Sequence, residues 1–209
     1  MQSIQTVSEN TIYVGASDRR LAKFENLFPI PRGVSYNAYV ILDEKTALLD
    51  TADASVGAQF LENVAAALDG RKLDYLIVDH MEPDHAAMIE AVLVRWPDLR
   101  LVVNAKTLPM LKMYFPGDSA AIDDALVVKE GDTLDLGKHK LTFVMAPMVH
   151  WPEVMMTFDT TTGTLFSADA FGTFGALEGA LFADEVDFAG KGLDDARRYY
   201  ANIVGKYGA

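Results

Sequence analysis

In Tyr75-Leu76-Ile77-Val78-Asp79-His80-Met81-Glu82-Pro83-Asp84-His85, a short apolar run gives way to a polar segment dense in metal-ligating side chains. The first four residues are continuous and apolar, as expected of a strand buried on both faces. The polar part then lies on the loop leaving the strand's C-terminal end, where α/β proteins usually place their sites. Two imidazoles and two carboxylates fall at positions 80, 82, 84 and 85. Alternation along an extended loop points 80, 82 and 84 to one side, with His85 turned by the start of a helix. Pro83 stiffens the loop and favours an extended Glu82.

A solvated polar loop with coincidental histidines is the simpler alternative, and two distant residues weigh against it. His150 follows an apolar strand, in Ala146-Pro147-Met148-Val149-His150-Trp151-Pro152. Asp169 follows the strand candidate Thr164-Leu165-Phe166-Ser167. A lone His beside Trp is more often structural, and a lone Asp after a strand is often a helix cap. Taken with the first loop, they form a ligand set drawn from three strand ends. Mixed imidazole and carboxylate shells suit iron or manganese, whereas zinc hydrolase sites lean on imidazole and thiolate. Affinity order still allows zinc, so the ligand types favour iron without proving it.

Working outward, Tyr36–Leu42 and Thr46–Asp50 read as a hairpin around the turn Asp43-Glu44-Lys45. Val56–Leu68 has helical apolar spacing and stops near Gly70, and a second helix follows His85 to about Trp96. Leu101–Val103 is another buried strand and Lys106–Tyr114 a short helix. Strand candidates then follow at 126–128, 140–144, 154–158 and 164–167, and a last helix runs from about Asp194 to Lys206. Hairpins mixed with strand–helix units predict sheets covered by helices rather than a doubly wound sheet. His139, in Gly137-Lys138-His139-Lys140, reads as a solvated turn residue.

The bulk composition narrows the function. The 209 residues are half hydrophobic, which suits one fairly large domain. A formal net charge of −12 argues against nucleic acid, since phosphate binding needs clustered Lys and Arg. With no cysteine, disulfides, thiolate zinc sites and iron–sulfur clusters are excluded, so any metal must be held by His, Asp and Glu. No signal peptide and no apolar run of bilayer length is visible, so the expectation is a cytoplasmic protein with no membrane partner.

The pattern His-x-Glu-x-Asp-His from His80 to His85 resembles the flavodiiron proteins; ordinary hydrolases of the metallo-β-lactamase fold carry His where this chain has Glu82. The similarity extends through Ser35–Tyr39, Ala47–Thr51, Pro147–Pro152, Phe166–Gly172 and Arg198–Ile203. It implies an α/β, metallo-β-lactamase-like αββα sandwich over residues 1–209. It implies two iron ions, with His80, Glu82 and His150 on one, Asp84 and His85 on the second, and Asp169 bridging. In some members the residue matching His85 does not bind metal. Trp151 is expected to shape the pocket, and Thr173, Phe174 and Leu177 to set substrate preference. Asp50 and Asp79 either orient ligands and loops or cap turns at strand ends.

The resemblance further implies reduction of dioxygen to water, of nitric oxide to nitrous oxide, or both. Electrons would come from FMN on a flavodoxin-like domain or from a rubredoxin-like partner, within a homodimer. Two features depart from the family. These 209 residues include no flavodoxin-like domain and no histidine after His150, although members supply one more His to the second iron. Lys206-Tyr207-Gly208-Ala209 reads as a helix that should continue, so the expectation is a piece of a longer protein. A flavin-free di-iron oxygen sensor and, less favoured by Glu82, a zinc-dependent hydrolase are the competing readings.

Overall fold

A computed structural model describes residues 3–207; Gly208 and Ala209, included in the expected continuing helix, lie outside them. Two β-sheets stack face to face. The larger has seven strands in the order Gln5–Ser8, Thr11–Tyr13, Tyr39–Leu42, Thr46–Leu49, Tyr75–Ile77, Arg100–Asn104 and Leu126–Val128. The first four are antiparallel, and from Thr46–Leu49 onward the pairing is parallel. The smaller sheet is antiparallel throughout, in the order Thr133–Asp135, Lys140–Met145, Met155–Asp159 and Thr164–Phe166.

Strand periodicity separates two cores. Val40, Leu48, Leu76, Leu101 and Val103 point to the helices Gly57–Leu68, Ile89–Arg95 and Thr107–Tyr114. Their neighbours Ile41, Ala47, Leu49, Ile77 and Val102 point the other way, against Leu141, Phe143, Met155 and Phe166 of the smaller sheet. This explains why the larger sheet's central strands read as unbroken apolar runs: both faces are covered. Phe143 is fully buried between the sheets, and truncating it to Ala should cost about 3–5 kcal/mol. Val144 and Leu165, on the smaller sheet's outer face, are 38% and 42% exposed. Among the described residues no helix is long and apolar enough to cross a membrane.

Several expected elements take a different form. The run Tyr36–Leu42 is broken: Val34–Tyr36 pairs with Ala16–Asp18 in a separate ribbon, and only Tyr39–Leu42 joins the main sheet. The helix expected after His85 is interrupted between Pro83–Ala86 and Ile89–Arg95. The cause is Thr51, whose N–H and hydroxyl both donate to the His85 carbonyl, while its Oγ1 accepts from Met88 N–H. That carbonyl is therefore taken by a neighbouring strand end instead of continuing the helical ladder. The terminal helix holds α geometry over Leu193–Tyr199 and then widens into a π-helical turn, Tyr200–Val204. The N-terminal strands Gln5–Ser8 and Thr11–Tyr13 carry no strong apolar alternation and were not foreseen.

Candidate metal centre

The strand Tyr75–Ile77 delivers its loop to the end of the sandwich where both sheets converge. Asp79 pins that loop: its N–H donates to Asp50 Oδ1, its carbonyl accepts from Met155 N–H, and its Oδ1 accepts from the Thr157 hydroxyl. It therefore holds the backbone between the two sheets. The extended segment ends at Glu82, because Pro83 opens a helical turn that includes Asp84 and His85. Asp84 consequently turns away with His85 instead of sharing one side with His80 and Glu82, as simple alternation had it.

The two directions produce two clusters. His80, Glu82, His150 and Asp169 are all buried and bring ligating atoms within 4.8 Å of one another; Asp84, His85 and Asp169 form a second such group. Asp169 belongs to both. Its Oδ2 lies 3.2 Å from His80 Nε2 and 3.3 Å from His150 Nε2, while its Oδ1 lies 3.2 Å from His85 Nε2. Glu82 Oε2 is 2.8 Å from His150 Nε2 and 3.4 Å from His80 Nε2. His85 Nε2 is 3.8 Å from Asp84 Oδ2. The sequence-selected residues from three strand ends thus come together around one shared carboxylate.

The donor set suits cations. His80 Nε2, Asp84 Oδ1 and Asp169 Oδ2 are buried yet lack a hydrogen-bond partner. Leaving such atoms unsatisfied costs about 1–3 kcal/mol each unless something else coordinates them. The electrostatics agree. Burial opposes a charged His80 ring, but the carboxylates of Asp169, Glu153 and Glu82 around it outweigh that and hold it well above the ordinary range. His150 is pushed up to about 9 against burial, by Asp169 and Glu82. Burial, reinforced by the charges of Asp169 and Glu82, pushes the Asp84 carboxyl up to about 7, although His85 opposes it. Burial would also raise Asp169, yet His85, His150 and His80 hold it well below the ordinary range.

The surroundings brace the ligand-type side chains. Asp50 Oδ2 accepts from His85 Nδ1 at 2.9 Å while its Oδ1 holds the Asp79 amide, so Asp50 orients one imidazole and one loop together. Trp151 packs edge-on against His80, with ring centroids 5.3 Å apart, and against His150 at 6.2 Å. Left-handed backbone recurs here: Asp50, Met148 and Ala168 have φ of 54°, 68° and 46°. Such conformations in non-glycine residues are costly and concentrate where side chains must be aimed. A cavity of about 490 Å³ reaches Asp84, His85 and Asp169 and is lined also by Thr173, Leu177 and the 80%-exposed Phe171. Phe174 does not line it; the ring is buried against Phe24, Phe28 and Tyr199.

Three neighbours went unassigned in the sequence. Glu153 Oε1 accepts from His80 Nδ1 at 2.8 Å. The Tyr199 hydroxyl donates to Asp169 Oδ1. Glu25, at the tip of the ribbon Lys23–Phe24 and Phe28–Pro29, faces Glu82; desolvation and that carboxylate push it up to about 7. Glu153 follows directly after the quoted His150 motif and Tyr199 lies inside Arg198–Ile203, so their segments were visible but their roles were not. His139, expected to be solvated, is fully buried, and its Nδ1 donates to Asp159 Oδ2 at 2.8 Å, well away from the clusters in sequence and partners. Lys138 and Lys140 on either side are exposed, so the His139 side chain alone turns inward to Asp159, which sequence spacing does not show.

The ODP family beta lactamase profile matches residues 34–200. A nitric oxide reductase of Moorella thermoacetica is 38% identical over 200 residues, covering 95% of this chain and 49% of the relative. Among solved structures, the rubredoxin oxygen:oxidoreductase of Desulfovibrio gigas superposes with a TM-score of 0.90 at 32% identity, over 98% of this chain and 50% of its own. The flavodiiron protein of Giardia intestinalis gives 0.90 at 28% identity, over 98% and 49%. The chain spans about half the length of the proteins it matches. Profile, sequence and architecture agree: the chain belongs to the ODP beta-lactamase family and carries the metallo-β-lactamase-like fold of the flavodiiron proteins.

Proposed function

We propose that this chain is the di-iron domain of an oxidoreductase that reduces dioxygen to water or nitric oxide to nitrous oxide. The electrons would come from FMN on another domain or on a flavodoxin-like or rubredoxin-like partner. The observation that carries this reading is the single carboxylate, Asp169, whose two oxygens face two different clusters. His80, Glu82 and His150 would hold one iron, Asp84 and His85 the other, with Asp169 between them. Two ferrous ions bound there supply two electrons and Lewis acidity to a small molecule.

The protein's own contribution is placement. Asp50 holds His85 with Nε2 toward the metal by accepting a hydrogen bond from its Nδ1–H, and Tyr199 steadies Asp169 from the cavity side. The cavity opens onto Asp84, His85 and Asp169, so a neutral diatomic substrate reaches the second cluster first. The names of the relatives, nitric oxide reductase and rubredoxin oxygen:oxidoreductase, support both substrates.

The test is elemental analysis of protein purified without air, followed by dioxygen and nitric oxide consumption with a reduced flavin donor. Close to two irons per chain with turnover of either gas supports the proposal. Tight iron with a lasting oxygen adduct and no turnover points instead to a sensor. Zinc alone, from cells grown with ample iron, sinks the redox reading.

A further inference from the structure

Resting on the di-iron reading above, we propose that Glu153 is a positioning residue that fixes His80 as an Nε2 ligand and feeds its negative charge into the ring. The geometry is specific. Glu153 Oε1 accepts two hydrogen bonds, from His80 Nδ1 at 2.8 Å and from the Met81 amide at 3.0 Å. Because that oxygen already accepts from an amide and carries no proton to give, the ring nitrogen facing it is the protonated one. His80 Nε2 is thereby the nitrogen left to ligate a metal, and it is the atom that lies among Glu82 and Asp169.

Glu153 is itself held from behind. The Asn104 side-chain amide donates to the Glu153 carbonyl, while Asn104 Oδ1 accepts from the Lys106 and Thr107 amides at the head of the helix Thr107–Tyr114. Lys106 Nζ donates to the Pro152 carbonyl beside it. The segment is thus tied to the end of the strand Arg100–Asn104, next to the strand that delivers His80. His80 is clamped between two neighbouring strand ends.

The charge carries a second argument. Glu153 is 1% exposed, and its Oε2 has no hydrogen-bond partner. Burying a carboxylate with one bare oxygen is costly, and a glutamine or a backbone carbonyl would accept the same two hydrogen bonds without that cost. What only the carboxylate adds is charge, which strengthens the imidazole as a donor and favours the oxidised metal. His85 receives the same treatment from Asp50, whereas His150 Nδ1 has no partner. Two of the three imidazoles are therefore charge-braced, one in each cluster.

The experiment compares the full-length wild type with Glu153→Gln, Glu153→Asp and Glu153→Ala. Ferrous iron is titrated into each without air, and the midpoint potential of the loaded protein is measured. Glu153→Ala should weaken one of the two irons about 10–100-fold and leave the other unchanged. Glu153→Gln, which keeps the shape, should bind more tightly than the alanine variant but show a raised midpoint potential. Glu153→Asp should return the potential toward the wild-type value. A purely structural role would move thermal stability and leave the potential alone, so Glu153→Gln decides the matter even if the alanine variant does not fold. Wild-type affinity and potential in both the glutamine and alanine variants would overturn this role while leaving the di-iron reading intact. Failure of the wild type itself to take up iron would sink the di-iron reading, and this role with it.

Discussion

Two places in this molecule bury histidine against carboxylate, and they are built differently. At one, His139 donates to Asp159, which also accepts from the Thr162 hydroxyl and the Thr161 amide. Both Asp159 oxygens are satisfied, one base meets one acid, and only His139 Nε2 of the pair lacks a partner. At the other, three imidazoles face Glu82, Asp84 and Asp169, and Asp169 Oδ2, Asp84 Oδ1 and His80 Nε2 have no hydrogen-bond partner. Burial of a His–Asp pair is thus no sign of a metal site. The signal is an excess of converging donors beyond what they can satisfy among themselves.

The largest expected effect is at the shared carboxylate. Asp169→Ala removes a group common to both clusters, so iron content should fall well below two per chain and affinity by more than about 100-fold, since losing even an outer neighbour costs 10–100-fold. Retention of two irons would dissolve the distinction drawn above. Next is Asp50→Ala, which strips His85 of its Nδ1 acceptor and should weaken the Asp84–His85 ion about 10–100-fold, read by iron titration. Together with the Glu153 variants it should separate the two ions.

The reverse pattern belongs to the other pair. His139→Ala leaves Asp159 buried with fewer donors and should destabilise the fold by about 3 kcal/mol, roughly 6–12 °C in Tm, with iron content unchanged. Iron loss in that variant would mean that the two regions are coupled. The pH responses should also differ. Burial opposes ionisation of Asp159, but Thr162, His139 and the Thr161 amide hold its carboxyl below the ordinary range. A depressed carboxyl stabilises the fold above the ordinary aspartate range and loses that contribution as pH falls below it. Iron uptake should weaken earlier, on falling from about pH 9, because His150 then holds a proton that the metal must displace. The smallest effect is Thr162→Val, which removes one donor from Asp159 and should cost about 1 kcal/mol in chemical denaturation.

What could be read in the chain follows from how locally each feature is encoded. The loop from Asp79 to His85 announces itself because several ligand types crowd into a few residues after an apolar run. His150 and Asp169 were legible as strand-end residues, but only in company with that loop. Glu153, Tyr199 and Glu25 were not, because an acid or phenol after a turn looks like any surface residue until the fold supplies its neighbour. His139 was misread for the same reason, as was Phe174, whose partners lie far away in sequence.

The sequence by itself determined the chemistry available: histidine and carboxylate ligands without thiolates, periodic apolar strands, and a resemblance that names the family. The tertiary structure alone decided the partition. Pro83 turns Asp84 and His85 away from His80 and Glu82, and Asp169 arrives from the second sheet to stand between the two groups. Residue types are a property of the chain, whereas which oxygen meets which nitrogen depends on where two sheets and their left-handed corners bring segments as far apart as residues 80 and 169.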